Sequence, residues 1–196
     1  MTTLTRPNAE ATRVTIDEDI TKLVYEKVEM PKAGRRGSLE YIWALLRIGM
    51  GWTFLWAFLD KFFGLGFATE AGKGWIDGGS PTSGFLNFAT TGPLKEFYSG
   101  MAGSSVVDWM FMLGLLAIGL PLVLGIGVRI AASIGVVMLL MMYSSLMLPA
   151  NNPFLDDHII YAVIMLGLAI ANPGYGLGLG RWWGRTRLAK RLPILE

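Results

Sequence analysis

The chain holds a single histidine, His158, which follows Asp156 and Asp157 and precedes Tyr161 by three residues. A carboxylate beside an imidazole favours its protonated form, and a phenol at i+3 shares its helical face. Such a set could exchange a proton with a membrane-bound quinone. Asp157 and His158 are therefore the candidate catalytic pair, with Tyr161 as a candidate quinone contact. Arg47 lies several residues inside an apolar run, and Gly51, Phe54, Phe58 and Lys61 follow at helical spacing on roughly one face. That face could contact an anion or a quinone oxygen. In the structural alternative, Arg47 snorkels to the cytoplasmic interface, where Glu40 lies on the same face. Asp108 and Asp156 read as interfacial charges that mark where helices leave the membrane.

Composition excludes several chemistries. With no Cys there is no thiolate metal site, cysteine-ligated iron–sulfur cluster or c-type haem attachment, and one His cannot supply a bis-histidine haem. No metal is expected to be ligated by this chain alone, so any redox role must borrow its carrier. Gly174, Gly176, Gly178 and Gly180 alternate, but they follow a helix rather than a strand and are no dinucleotide fingerprint. Pro173-Gly-Tyr-Gly176 lies at a helix end and is no potassium filter. Met138, Met141, Met142 and Met147 read as core or lipid-facing filler.

The elements that must position these residues follow from hydropathy. Hydrophobic residues make up 53% of the chain and charged residues 16%, a balance shifted toward lipid. Four apolar runs predict spans over about 41–63, 107–125, 128–148 and 157–177. Each is close to the ~20 residues that cross a hydrocarbon core of ~30 Å. The expected fold is an all-α membrane protein, a four-transmembrane-helix bundle. Lys32, Arg35, Arg36, Arg129 and the five basic residues between Arg181 and Arg191 flank the spans at one side. The positive-inside rule then places both termini in the cytoplasm of a multi-pass plasma-membrane protein. Asp60, Lys61, Asp108, Asp156, Asp157 and His158 fall at the outer edge.

Residues 64–105 carry ten Gly, two Pro and six aromatics, too apolar for a solvated loop and too broken for a span. A long outer re-entrant or interfacial segment between helices one and two is expected, with Pro81 and Pro93 in the first turns of two short helices. Residues 1–38 form a cytoplasmic N-terminal tail in which 15–29 could be a short amphipathic helix, the transmembrane domain occupies 39–180, and 181–196 is a basic cytoplasmic tail.

Leu45-Leu-Arg-Ile-Gly-Met-Gly-Trp-Thr-Phe-Leu through Asp60-Lys-Phe-Phe-Gly64, the turn Leu124-Gly-Ile-Gly-Val-Arg129 and Asn151-Asn-Pro-Phe-Leu-Asp-Asp-His158 occur in order along the chain. Together they resemble the DoxX/DoxD family, over about residues 40–184. The resemblance implies a small membrane subunit of a thiosulfate:quinone oxidoreductase-like assembly. It makes Arg47, Lys61, Asn152 and His158 the candidate quinone- or anion-binding positions. Expected partners are the lipid bilayer, membrane quinone and a protein partner or larger membrane complex, with no nucleic acid. Alternatives are a non-catalytic anchor or accessory subunit of a respiratory complex and a small-solute or ion conductor.

Overall fold

A computed structural model describes residues 33–147, 149, 152, 154–175 and 177–192 of the 196-residue chain. The expected amphipathic helix at 15–29 lies outside the described residues. Two compact units divide the chain, Met1–Ser38 and Leu39–Glu196. All architecture below belongs to the second, apart from the first residues of the helix that begins at Ala33.

Every regular element among the described residues is helical. Helix α1 covers Ala33–Phe63, beginning inside the expected tail. A 3-10 turn at Trp75–Asp77 and the short helices α2, Ser83–Phe88, and α3, Lys95–Ser99, lie in the outer segment. Helix α4 spans Ser105–Leu124, α5 Val128–Ser145 and α6 Asp157–Ala171. A second 3-10 turn, Pro173–Tyr175, leads to α7, Gly180–Trp183, and α8, Arg187–Arg191.

Among the described residues, three helical stretches are long and apolar enough to cross a membrane: Gly37–Phe63, Ser105–Leu124 and Val128–Ser145. The fourth expected span, over about 157–177, forms a helix of only 15 residues. At 1.5 Å per residue it measures about 22 Å. It stops because Asn172 takes the left-handed conformation, φ 43°, and its N–H caps Leu168 O. Pro173 then blocks a further turn.

Helices α1, α4, α5 and α6 share one core, in which Phe54, Met112, Leu115, Ile118, Leu122, Leu139, Met165 and Leu168 are buried. Small residues let the backbones close up, as membrane helices require where lipid and side chain are equally apolar. A Cβ on Gly51 would lie 2.7 Å from the Val123 nitrogen, and one on Gly119 would lie 2.5 Å from the Leu55 nitrogen. These two contacts run α1 and α4 antiparallel. The bundle also exposes many large apolar side chains: Val163 is 63% exposed and Ile170 75% exposed, even on α6. Water would penalise that girdle, whereas hydrocarbon accepts it.

The two short outer helices form as expected, but Pro81 and Pro93 each sit one residue before the N-cap, which Thr82 and Leu94 occupy. The ring's missing N–H is harmless there, because the first intrahelical acceptor comes from the cap itself.

Candidate functional site

At the end of the bundle where α1 stops and α4 starts, the acids turn inward. Asp60 is buried, and its two carboxylate oxygens accept the backbone N–H groups of Phe67 at 3.2 Å and Thr69 at 2.8 Å. One side chain thus closes the turn that begins the outer segment. Asp108, in the first turn of α4, is also buried. Its Oδ1 accepts from Ser80 Oγ at 2.9 Å, from the Thr82 N–H at 3.2 Å and from Thr82 Oγ1 at 2.5 Å. A third anchor comes from α3, where the Tyr98 hydroxyl bonds Ser144 Oγ at 2.5 Å and reaches Met141 O at 3.3 Å on α5. Asp108 is therefore not a plain interfacial charge. It ties the outer segment to the bundle, and a carboxylate accepting several donors is the group least easily replaced.

His158 lies in the first turn of α6. The expected partner was Asp157, but Asp157 is exposed and His158 Nδ1 pairs with Asp156 Oδ2 at 2.7 Å. The reason is local. Asp156 is the N-cap, with extended backbone (φ −127°, ψ −177°), so its side chain folds back over the helix start. Its other oxygen accepts the Ile159 N–H at 3.2 Å. Both oxygens being engaged, the carboxylate is fixed, and so is the face of the imidazole it holds. With Nδ1 facing Asp156, Nε2 has no hydrogen-bond partner among the described residues. Neutral imidazole in this tautomer presents an Nε2 lone pair; imidazolium presents an N–H.

Around this pair, Tyr161 is 37% exposed, one turn further along α6. Asn152 is exposed, and its Oδ1 accepts the N–H groups of Phe154 at 3.1 Å and Leu155 at 3.3 Å. It shapes the approach to α6 as an Asx turn. Lys61, half-buried in the last turn of α1, holds its ammonium 6.0 Å from the Phe111 ring centroid. His158, Tyr161, Asn152 and Lys61 thus belong to the end of the bundle where α1 stops and α6 starts. Among the described residues no group of three or more His, Asp or Glu side chains could hold a metal ion.

Arg47 is elsewhere. It precedes Lys61 by fourteen residues on one continuous helix, a separation of about 21 Å. It neither snorkels nor meets Glu40, which is exposed while Arg47 is fully buried. Its guanidinium donates to Leu122 O at 2.7 Å, to Val123 O at 3.4 Å and to Leu177 O. These are carbonyls of the last turn of α4 and of the chain after α6. A cation there answers both the unpaired carbonyls and the negative end of the α4 dipole.

The alternating glycines explain how so large a group fits. A Cβ on Gly125 would lie 2.3 Å from Arg47 Nη1, and one on Gly178 would lie 2.8 Å from Leu124 O and 3.0 Å from Arg47 Nη2. Gly174 and Gly180 approach each other and Gly125 as closely. Sequence reading missed this clasp. The alternation of glycine was its signal, and it marks close backbone approach rather than a phosphate cradle. No family model matches the chain, and no curated protein or solved structure is similar to it.

Proposed function

We propose that this chain is a DoxX/DoxD-like, quinone-interacting integral membrane subunit that passes electrons from a sulfur compound such as thiosulfate, or from a partner protein, to the quinone pool. In this reading α6 and the chain to Leu179 complete a fourth crossing. Its support is the 2.8 Å bond from the Leu179 N–H to Leu124 O, which brings the chain back to the level where α4 ends. Both termini then face the cytoplasm of the plasma membrane, and residues 64–105 cover the outer face as a re-entrant or interfacial segment.

The observation that carries the proposal is the His158–Asp156 pair at the start of an apolar helix. Reducing a quinone to a quinol takes two electrons and two protons. Joining two thiosulfate ions through a new S–S bond releases two electrons, and the chain's lack of Cys leaves their transfer to a carrier on a partner. Asp156 holds the imidazole through Nδ1, and His158 Nε2 gives a proton to a quinone oxygen or takes one back. Lys61 and Tyr161 are the further outer-end groups available to orient that oxygen. Both Nη groups of Arg47 donate to carbonyls while its buried Nε has no partner among the described residues, and about 21 Å of helix separates it from Lys61, so Arg47 acts as a clasp and is not part of the quinone contact.

The test is thiosulfate-dependent quinone reduction by the native complex carrying His158→Gln. Loss of a positioned proton donor costs about 10²–10⁴-fold in rate. Asp156→Asn gives a smaller loss, because the imidazole keeps its place but loses its fixed tautomer. Unchanged turnover with His158→Gln in an assembled complex would overturn the catalytic reading. It would leave the second one, a non-catalytic anchor or accessory subunit. One observation favours that alternative: the buried charges Arg47, Asp60 and Asp108 are all bonded to backbone or hydroxyl groups of this chain, with only Arg47 Nε left over.

A further inference from the structure

We infer that α7 and α8 form a docking surface for the headgroups of anionic phospholipids at the end of the bundle where α4 ends. This inference does not depend on the redox reading. It starts from where the segment is held. The Leu179 N–H donates to Leu124 O at 2.8 Å, and Gly180 lies so close beneath Gly174 that a Cβ would meet its carbonyl oxygen at 2.2 Å. These contacts set α7 level with the turn between α4 and α5. The 20-residue and 18-residue apolar helices end and begin at that turn, so its depth is that of the membrane boundary.

The described charges at that end are basic, Glu40 on α1 excepted. Arg181, Arg185, Arg187, Lys190 and Arg191 are all exposed, and so is Arg129 at the start of α5. The sequence has no Asp or Glu from His158 to Leu195. On α1, Glu40 is exposed and forms no ion pair with any of the six among the described residues. Nothing described in the chain therefore neutralises these cations.

The apolar pattern selects lipid over a soluble acidic partner. Trp182 is 63% exposed, Leu188 on α8 is 52% exposed and Leu192, the residue just past its end, is 49% exposed. Ala189 on the same helix is fully buried, and Thr186 Oγ1 caps it by accepting the Ala189 N–H at 3.3 Å. The platform is thus seated on its own body while its leucines and tryptophan point outward beside the arginines. Indole and leucine side chains at acyl-chain depth, with guanidinium groups at phosphate depth, match an anionic leaflet.

The test places the full chain in nanodiscs of mixed phosphatidylcholine and phosphatidylglycerol and measures by native mass spectrometry which lipids it retains on release. Phosphatidylglycerol should be retained in excess of its bulk share. Each cation near an anionic surface is worth about fivefold, so Arg185→Gln/Arg187→Gln/Arg191→Gln should cut the excess at least about tenfold. Lys73→Gln/Lys95→Gln, at the other end, should leave it intact. Helix content by circular dichroism establishes that the triple variant is folded. Should it fail to fold, salt replaces it. Between about 0.01 M and about 1 M the screening length falls from about 30 Å to about 3 Å, and the excess must fall with it. Retention at the bulk ratio, or an excess indifferent to both the triple variant and salt, overturns the inference. So does salt-dependent binding of soluble polyglutamate to the detergent-solubilised chain without any phosphatidylglycerol excess, which would make the surface a protein-docking one.

Discussion

Replacing Gly125 by Ala tests the arginine clasp more directly than replacing the arginine. Gly125 sits at φ 75°, where an L side chain is strained by about 1–2 kcal/mol. Its new Cβ would also lie 2.3 Å from Arg47 Nη1 and 3.1 Å from Gly174 O. The guanidinium must retreat, and retreat breaks the 2.7 Å bond to Leu122 O. A hydrogen bond to a charged group contributes about 1.5–3 kcal/mol, which brings the total to about 2.5–5 kcal/mol. Gly103 supplies the control. It has nearly the same φ, 78°, but a Cβ there meets nothing within 4 Å, so Gly103→Ala should cost the strain alone.

The seven Trp residues allow intrinsic-fluorescence melting in matched detergent. For a chain of this size 1 kcal/mol moves the midpoint by about 2–4 °C, so the two variants should differ by about 3–12 °C. A double-mutant cycle completes the argument. In the Arg47→Met background Gly125→Ala should keep its strain and its 3.1 Å approach to Gly174 O but lose the guanidinium term, giving a coupling of about 1.5–3 kcal/mol. Equal midpoints for the two alanine variants, or an undiminished cost in the Arg47→Met background, would refute the clasp.

Asp108→Ala removes the acceptor of three donors and should release the outer segment from α4. Hydrogen exchange at residues 80–90 should accelerate at least about tenfold, as expected for the loss of one charged hydrogen bond of ~1.5–3 kcal/mol; unchanged protection there would contradict the anchoring role. Glu70 is held below the usual carboxylate range by the hydrogen bond from Lys73, with the charge of Lys73 adding to it; the two groups meet at 2.6 Å. A lowered folded value means the pair's contribution is present above the unfolded carboxyl pKa and is lost as pH falls through the folded one. Exchange protection of the 66–73 turn should therefore decline on acidification in that range. Glu70→Gln should abolish the dependence, and persistence in that variant would assign it to another group.

Length and hydropathy made α1, α4 and α5 legible, because each reports on its own stretch of chain. The limit of α6 was legible in principle: Asn172-Pro173 is a helix stop, yet continued hydropathy to Gly180 concealed it. At the outer site His158 was identifiable as the lone imidazole, but its partner was not. Neighbouring acids are indistinguishable by spacing, and only the extended backbone of Asp156 decides which carboxylate turns toward the ring. A preference of N-caps for Asp was the available clue.

The sequence by itself determined that this chain forms helices apolar enough for lipid, carries no thiolate and keeps most of its basic residues near its ends. Those are properties of composition and order, summed residue by residue. Tertiary structure alone decided what the charges do. Arg47 meets carbonyls 75 and 130 residues away, and Asp108 receives donors 26 and 28 residues before it. In an apolar medium a buried charge must find whatever polar group the fold brings within reach, and that reach is set by packing rather than by distance along the chain.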